Sequence, residues 1–310
     1  MASSSSSNSN LTLPVVGEHL ILSIPAPRIL MVKMNRPRQL NAMSFEMEQD
    51  MAKTFDWFEE QPSLWVAILT GNGRGFCAGQ DLRSFMENQS ESEDQFQQQF
   101  NRITKGGFGS VSTRRFNKPI LAAVDGYAMG GGTELALNCD LVIATSRSIF
   151  GLPEATRGVV AAMGGIARIS QVAGHQRAAE MLLTCDPVPA IDARNRFGFV
   201  NAVVNVAKEE SVEKGQAIIE AEAIRWAQKI TSNSPDSVIV SKQGLDLARD
   251  INKGTLGIDE VTAQNYLSEM STAWREGDNI REGVTAFFEK RKPEWTDSIR
   301  PIPMKKPSKL

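Results

Sequence analysis

Apolar positions along this chain fall into two regimes. Up to about residue 154 they form short dense runs broken by turn residues, and beyond about residue 206 they recur at helical spacing. HLILSI (19–24) and RILMVKM (28–34) predict two strands joined by Pro25-Ala26-Pro27, with His19 on the first. Ser44 is placed to cap a helix whose apolar face is Met47, Met51, Phe55 and Phe58. LWVAILT (64–70) predicts a buried strand ended by the turn GNGRG, and ILAAV (120–124) predicts another. DLVIAT (140–145) and SIFGLPE (148–154) add two short extended pieces. FCAGQDL (76–82) leads into a short helix, Gly130-Gly131-Gly132 opens a second, and His175 falls at a helix start. Residues 87–107, rich in Gln, Ser and Glu, predict a mobile loop or an exposed helix. Helical stretches near 207–230, 235–250 and 258–290 complete the pattern. Strands alternating with helices, then helices alone, predict an α/β core over 17–205 and a helical segment over 206–295.

The two ends differ from this body. The first ten residues read MASSSSSNSN, and residues 1–16 are expected to be a disordered Ser-rich terminus. It has no apolar segment and no Lys or Arg before Arg28, so neither a secretory nor a mitochondrial leader is expected. Residues 296–310 are expected to form a flexible tail, since PIPMKKP is too proline-rich and basic to pack well. The tail closes on Ser308-Lys309-Leu310, the tripeptide read by the peroxisomal import receptor, so a peroxisomal location with that receptor as partner is expected.

Composition narrows the chemistry. A net charge of −2 over 310 residues provides no basic field for nucleic acid. No apolar run approaches the roughly 18 residues that span a bilayer. The three cysteines, Cys77, Cys139 and Cys185, form no CxxC pair, and the only histidines are His19 and His175. A metal site, a disulfide framework and a histidine-based triad are therefore not expected. GxGxxG is absent after the first strand and GxxxxGK[ST] is absent altogether, which argues against dinucleotide and P-loop sites.

Two glycine-bearing turns remain, FCAGQDL and AMGGGTELA, each following an apolar run and opening a helix. The first N–H groups of a helix lack intrahelical partners and carry the positive end of its dipole. Two such turns brought together form an oxyanion hole, worth about 3–4 kcal/mol per donor to an enolate. The same glycines would also serve simple close helix–sheet packing. Glu134 stands two residues after the last glycine, where it either caps the helix or acts chemically, and Glu154 follows Pro153 among apolar neighbours. Two glutamates beside one polarised carbonyl can divide acid–base work, one activating water and the other handling the proton next to that carbonyl.

FCAGQDL, GYAMGGGTELALNCD and FGLPEATRGVV resemble the three signature regions of the enoyl-CoA hydratase/isomerase (crotonase) superfamily. NRPRQLNAMS (35–44) and FFEKRKPEW (287–295) resemble its first turn and last helix, so the likeness runs over residues 19–295. The resemblance implies a spiral of ββα units with a helical C-terminal trimerisation segment, and hence a homotrimer or hexamer. It implies that the backbone N–H groups of Gln80 and Gly131 form the oxyanion hole and that Glu134 and Glu154 are the catalytic pair. Ala78, Gln80, Asp81 and Leu82 would line the thioester and pantetheine path, and Lys290 and Lys292 are candidates for the CoA phosphates. No metal or redox cofactor is implied, because CoA belongs to the substrate.

Both glutamates together imply a hydratase or dehydratase. The alternatives are a double-bond isomerase using Glu154 alone, an acyl-CoA thioesterase, and a catalytically silent binding protein of the same fold. One segment departs from the family pattern: hydratases of straight-chain substrates often carry PGAGG where this chain has AAMGG (161–165). In the family that segment borders the acyl pocket, which implies a branched or functionalised acyl group. With the terminal SKL, it gives the chain a likeness to fungal peroxisomal members, whose settings include β-oxidation, mevalonyl-CoA dehydration for siderophores, and toxin biosynthesis.

Overall fold

The computed structural model describes residues 11–81, 106–207, 209–251 and 258–298. Strands β1 (Leu20–Ala26) and β2 (Ile29–Met34) pair antiparallel across the turn residues Pro27 and Arg28, where Arg28 takes φ +70°. Pro25 and Ala26 stay within β1, so the break falls later than the Pro25-Ala26-Pro27 run predicts. His19 lies in the turn before β1 rather than on the strand.

After β2 the chain alternates between two sheets. β3 (Val66–Gly71) joins the first sheet and β4 (Gly75–Cys77) the second. β5 (Ile120–Val124) returns to the first and β6 (Tyr127–Met129) to the second. β7 (Leu141–Thr145), β8 (Ile149–Gly151), β9 (Val188–Pro189) and β10 (Ala202–Val204) complete the described strands. The larger sheet has the order β1-β2-β3-β5-β7-β10 and the smaller one β4-β6-β8-β9. This repeated step from a long strand to a short one is the predicted spiral. The short strands β4 and β6 lie inside stretches that read as turns, because three residues beside a glycine turn are too few to carry a strand signal.

Side chains from the long strands alternate between the sheet's two faces. Leu30, Val32, Leu69 and Ala122 pack toward helix α1 (Phe45–Glu60), where Met47, Met51, Phe55 and Phe58 are each 0% exposed. Ser44 caps that helix as predicted, its hydroxyl accepting from the Met47 N–H at 3.3 Å. Four short or medium helices follow: α2 (Gly131–Asn138), α3 (Gly165–Ala173), α4 (His175–Ala179) and α5 (Ala190–Asn195).

The opposite face, with Ile29, Val66, Ile68 and Leu121, is covered by Ile219, Ala223 and Ala227 of α6 (Val212–Thr231). A boundary between 205 and 206 therefore cuts through one packed unit, because the sheet needs α6 to cover its second face. Beyond it come α7 (Pro235–Ile251), α8 (Ile258–Tyr266), α9 (Glu269–Glu276) and α10 (Asp278–Glu289). The stretch 258–290 is thus three helices rather than one. Ser268 caps α9 by accepting from the Ser271 N–H at 3.1 Å, and the extended Gly277 separates α9 from α10.

Residues 11–16 and 296–298, which fall inside the two ends expected to be disordered or flexible, are packed on the core; residues 299–310 lie outside the described residues. Residues 1–10 lie outside the described residues, but Leu11, Leu13 and Val16 pack against the core, and Lys53 donates to the Val15 carbonyl at 2.8 Å. At the other end Asp297 accepts from the Trp65 indole N–H at 2.8 Å, and Thr296 N donates to Asn279 Oδ1 at 3.0 Å. A few apolar side chains and one indole suffice to anchor these segments.

Phe55 of α1 is fully buried, with its ring edge-on to Phe116 at 5.2 Å. Replacing it (Phe55→Ala) should lower unfolding stability by about 3–5 kcal/mol in urea titration. A loss below about 1 kcal/mol would show that α1 is not held by this contact.

Candidate active site

Parallel pairing of β4 with β6 aligns Cys77 with Ala128 and brings the two glycine turns side by side. They touch backbone to backbone. A Cβ on Gly132 would lie 2.1 Å from the Cys77 carbonyl oxygen, and one on Gly131 would lie 2.5 Å from the Phe108 ring. Gly79 takes φ +94°, and a Cβ there would sit 2.9 Å from the Met129 carbonyl oxygen and 3.5 Å from Gly131 N. Gly130, at φ +55°, is the N-cap of α2, and its open side lies against Glu154 Oε1.

These contacts hold the first turn of α2 against the residues that follow β4. Gly131 N heads α2, where a helix N–H has no partner within the helix. Gln80 is fixed by its neighbours: Met43 N donates to Gly79 O at 2.8 Å and Asp81 N to Met43 O at 3.0 Å. The Gln80 side chain also donates to Met43 O, at 3.1 Å. Thr133 Oγ1 sits 2.6 Å from Ala128 O and 2.9 Å from Gly151 O, and accepts from Gly151 N at 3.1 Å, which ties α2 to β6 and β8.

Glu134 lies on the first turn of α2 and is 3% exposed. Its Oε1 accepts two backbone N–H groups, from Met163 at 3.0 Å and Gly165 at 2.9 Å. Both donors belong to AAMGG, and Gly164, at φ +104°, turns the chain between them at the N-cap of α3. A Cβ on Gly165 would fall 2.9 Å from Glu134 Oε1, so only glycine lets the amide come this close.

Glu154 begins a single 3₁₀ turn, Glu154–Arg157, after β8. Its Oε2 is buried without a hydrogen-bond partner among the described residues. Burial pushes its carboxyl above the ordinary range, opposed by its own backbone N–H and by Arg157. One glutamate is thus held by amide donors, while the other keeps an unengaged oxygen and an elevated proton affinity. Were the Gln80 and Gly131 N–H groups to converge beside such a pair, they would stabilise a developing oxyanion while one carboxyl moved a proton.

Other sequence-predicted residues have varied placements. Ala78 is half-buried, and Asp81 forms an ion pair with Arg36 at 2.9 Å, so its carboxylate anchors the 36–43 loop. Leu82, nearly all of 87–107, and Ser308-Lys309-Leu310 lie outside the described residues. Lys290 closes α10 at φ +54°, and both it and Lys292 are exposed. Burial pushes the Cys77 thiol up to about 12, too high for a thiolate nucleophile at neutral pH. Sequence reasoning missed the amides of Met163 and Gly165 and the Ser112 hydroxyl, which donates to Met163 O at 2.7 Å. The Gly164-Gly165 pair was the available signal, since two glycines before an amphipathic run mark a tight helix start.

A profile of the family described as enoyl-CoA hydratase/isomerase matches residues 26–298. The chain belongs to that family, and the activity class is hydration or dehydration of CoA thioesters. It is 38% identical to the mevalonyl-coenzyme A hydratase of Aspergillus fumigatus, over 90% of this chain and 95% of that protein. The mevalonyl-coenzyme A hydratase of Beauveria bassiana is 37% identical, over 89% and 94%. The mitochondrial enoyl-CoA hydratase of Pongo abelii is 31% identical, over 86% and 83%. The crystal structure of an enoyl-CoA hydratase from Mycobacterium tuberculosis superposes with a TM-score of 0.75 at 33% identity, covering 90% of this chain and 99% of that one.

The unpartnered Glu154 carboxyl has a thermodynamic consequence. With its folded pKa raised, the native state binds this proton more tightly than the unfolded chain does. Stability is therefore lost as pH rises through the unfolded and then the folded value, and the penalty persists above both. Glu154→Gln should raise the melting temperature at pH 8 and change it less at pH 4. An equal shift at both pH values would show that the carboxylate carries no burial penalty.

Proposed function

We propose that the protein adds or removes water across the C2–C3 bond of a branched, hydroxylated acyl-CoA thioester, with mevalonyl-CoA as the leading candidate. The observation that carries this reading is the glutamate pair at the glycine turn, with Glu134 Oε1 held by two amides and Glu154 Oε2 buried and unengaged. In the hydration direction the thioester oxygen accepts hydrogen bonds from the Gln80 and Gly131 N–H groups. Glu134 takes a proton from water as its oxygen bonds to C3. The electron pair of the C2–C3 double bond moves to C2 as Glu154 delivers its proton there. Dehydration runs the same steps in reverse, with Glu154 ionised at the start.

The preference for a mevalonyl group is supported by the higher identity to the two mevalonyl-coenzyme A hydratases than to the mitochondrial enzyme. AAMGG supports it too, because the segment that departs from the straight-chain pattern is the one touching Glu134. The proposed setting is the peroxisome, with entry through Ser308-Lys309-Leu310, and a pathway that consumes a dehydrated mevalonyl group, as in siderophore acylation. Trimer formation is proposed to cover α10, whose Phe287 and Phe288 are 78% and 76% exposed. The two lysines at the end of the same helix, Lys290 and Lys292, are proposed to meet the CoA phosphates.

Incubating the purified protein with crotonyl, methyl-branched and mevalonyl thioesters in heavy-oxygen water should place label at C3 of the hydroxyacyl product, with the mevalonyl pair turned over fastest. Glu134→Gln and Glu154→Gln should each lower kcat about 100- to 10,000-fold while the fold stays intact. Near-wild-type turnover in either variant, or label only in a free acid, would overturn the assignment. Deleting the last three residues should leave activity unchanged and move a fluorescent fusion from peroxisomes to cytosol; unchanged import would remove the targeting role.

A further inference from the structure

A cavity of about 230 Å³ opens where the C-terminal end of α2, the start of α3 and the middle of α7 meet. Neither Glu134 nor Glu154 lines it. Its wall carries five cationic side chains, Arg114, Arg115, Arg168, Lys242 and Arg249, and one carboxylate, Asp246. Two more carboxylates approach from outside the wall. Arg114 pairs with Asp56 at 2.7 Å, and Lys242 with Asp140 at 2.5 Å and with Asp246 at 3.7 Å. Arg249 meets Asp246 at 3.4 Å. Among the described residues, then, five cations face three carboxylates.

The arrangement is built into the fold. Lys242 and Asn138, both on the cavity wall, are 7% and 5% exposed. Arg168 is oriented by its Nε, which donates to Ser112 O at 3.1 Å. Burial and the nearby Arg249 push the Arg168 guanidinium down to about 10, a sign of cations gathered in a half-enclosed space. An apolar occupant would leave these groups desolvated, and a cationic one would be repelled. Guanidinium forks instead match the paired oxygens of a phosphate or similar oxyanion.

We propose that this cavity is a binding site for a small multivalent oxyanion of the phosphate class. Its volume falls below the roughly 300–1,000 Å³ of pockets that enclose a whole drug-sized ligand. The occupant is therefore inorganic phosphate or the phosphoryl end of a larger molecule whose remainder lies outside.

Titration calorimetry of the full chain with inorganic phosphate, at constant ionic strength in chloride, tests it. Wild type should show saturable binding in the millimolar range or tighter. Arg249→Gln should weaken it about tenfold, as expected for losing one charge-assisted hydrogen bond, and Arg249→Lys should recover part of the loss. Asp246→Asn, which removes the one lining carboxylate, should tighten binding. An absence of saturable binding to wild type, or an Arg249→Gln constant equal to wild type, overturns the proposal. If Arg249→Gln fails to fold, an unchanged constant in Asp246→Asn overturns it instead. Adenosine bisphosphate as a competitor then separates the sources. Displacement of phosphate assigns the site to a nucleotide's phosphoryl end, and its failure assigns it to free phosphate.

Discussion

The carbonyl of Cys77 and the backbone of Gly132 approach so closely that no side chain fits between them. The rest of the site depends on that contact. Because the turn after β4 and the start of α2 meet main chain to main chain, Gly79, the neighbour of Gln80, lies against the first residue of α2. Glu134, three residues into the same helix, is carried to its place by the same contact. Each of the three consecutive glycines answers a different demand. Gly130 turns the backbone and leaves room for the Glu154 carboxylate, Gly131 clears the Phe108 ring, and Gly132 clears Cys77. A Cβ at Gly131 or Gly132 would push apart elements that the site needs in contact.

The two glutamates show opposite ways of handling a carboxylate in the interior. Glu134 is almost fully buried but receives two amide hydrogen bonds, which replace water on Oε1. Glu154 keeps a buried oxygen with no partner, and its raised proton affinity reflects that lost solvation. Natural proteins rarely leave such a group unsatisfied, and when they do the group is often one that must change protonation state. Local stability given up at Glu154 is offset by the sheet and by the α1 and α6 layers, whose core side chains are almost completely buried.

In the proposed function, AAMGG serves both substrate preference and mechanism. The segment is where the chain departs from the straight-chain hydratase pattern, and it also supplies the amides that fix Glu134. Met163 contributes both of its backbone groups, donating to Glu134 and accepting from Ser112, while its side chain is buried in the core. A change of acyl group through this segment therefore has to preserve the path of its backbone. Retention of Gly164 and Gly165 within a changed segment follows from that requirement.

Much of the site was legible in the residues. Glycine where no side chain fits, and a carboxylate just after a glycine turn, are local signals that survive without coordinates. Long apolar strands and the Ser44 cap were legible for the same reason, since burial and capping write themselves into short stretches. Three features needed the tertiary structure. The β4–β6 pairing joins three-residue segments about fifty positions apart, too short to signal a strand. The division of each apolar strand between α1 and α6 is invisible in a run that is hydrophobic at every position. The anchoring of Glu134 by Met163 and Gly165 uses backbone N–H groups, which every residue but proline carries; the Gly164-Gly165 pair marks a tight helix start but not the carboxylate its amides meet. The sequence by itself determined the fold class and which carboxylates and glycines could do chemistry. Only tertiary structure decided which backbone groups meet them, because a main-chain donor becomes specific through position alone.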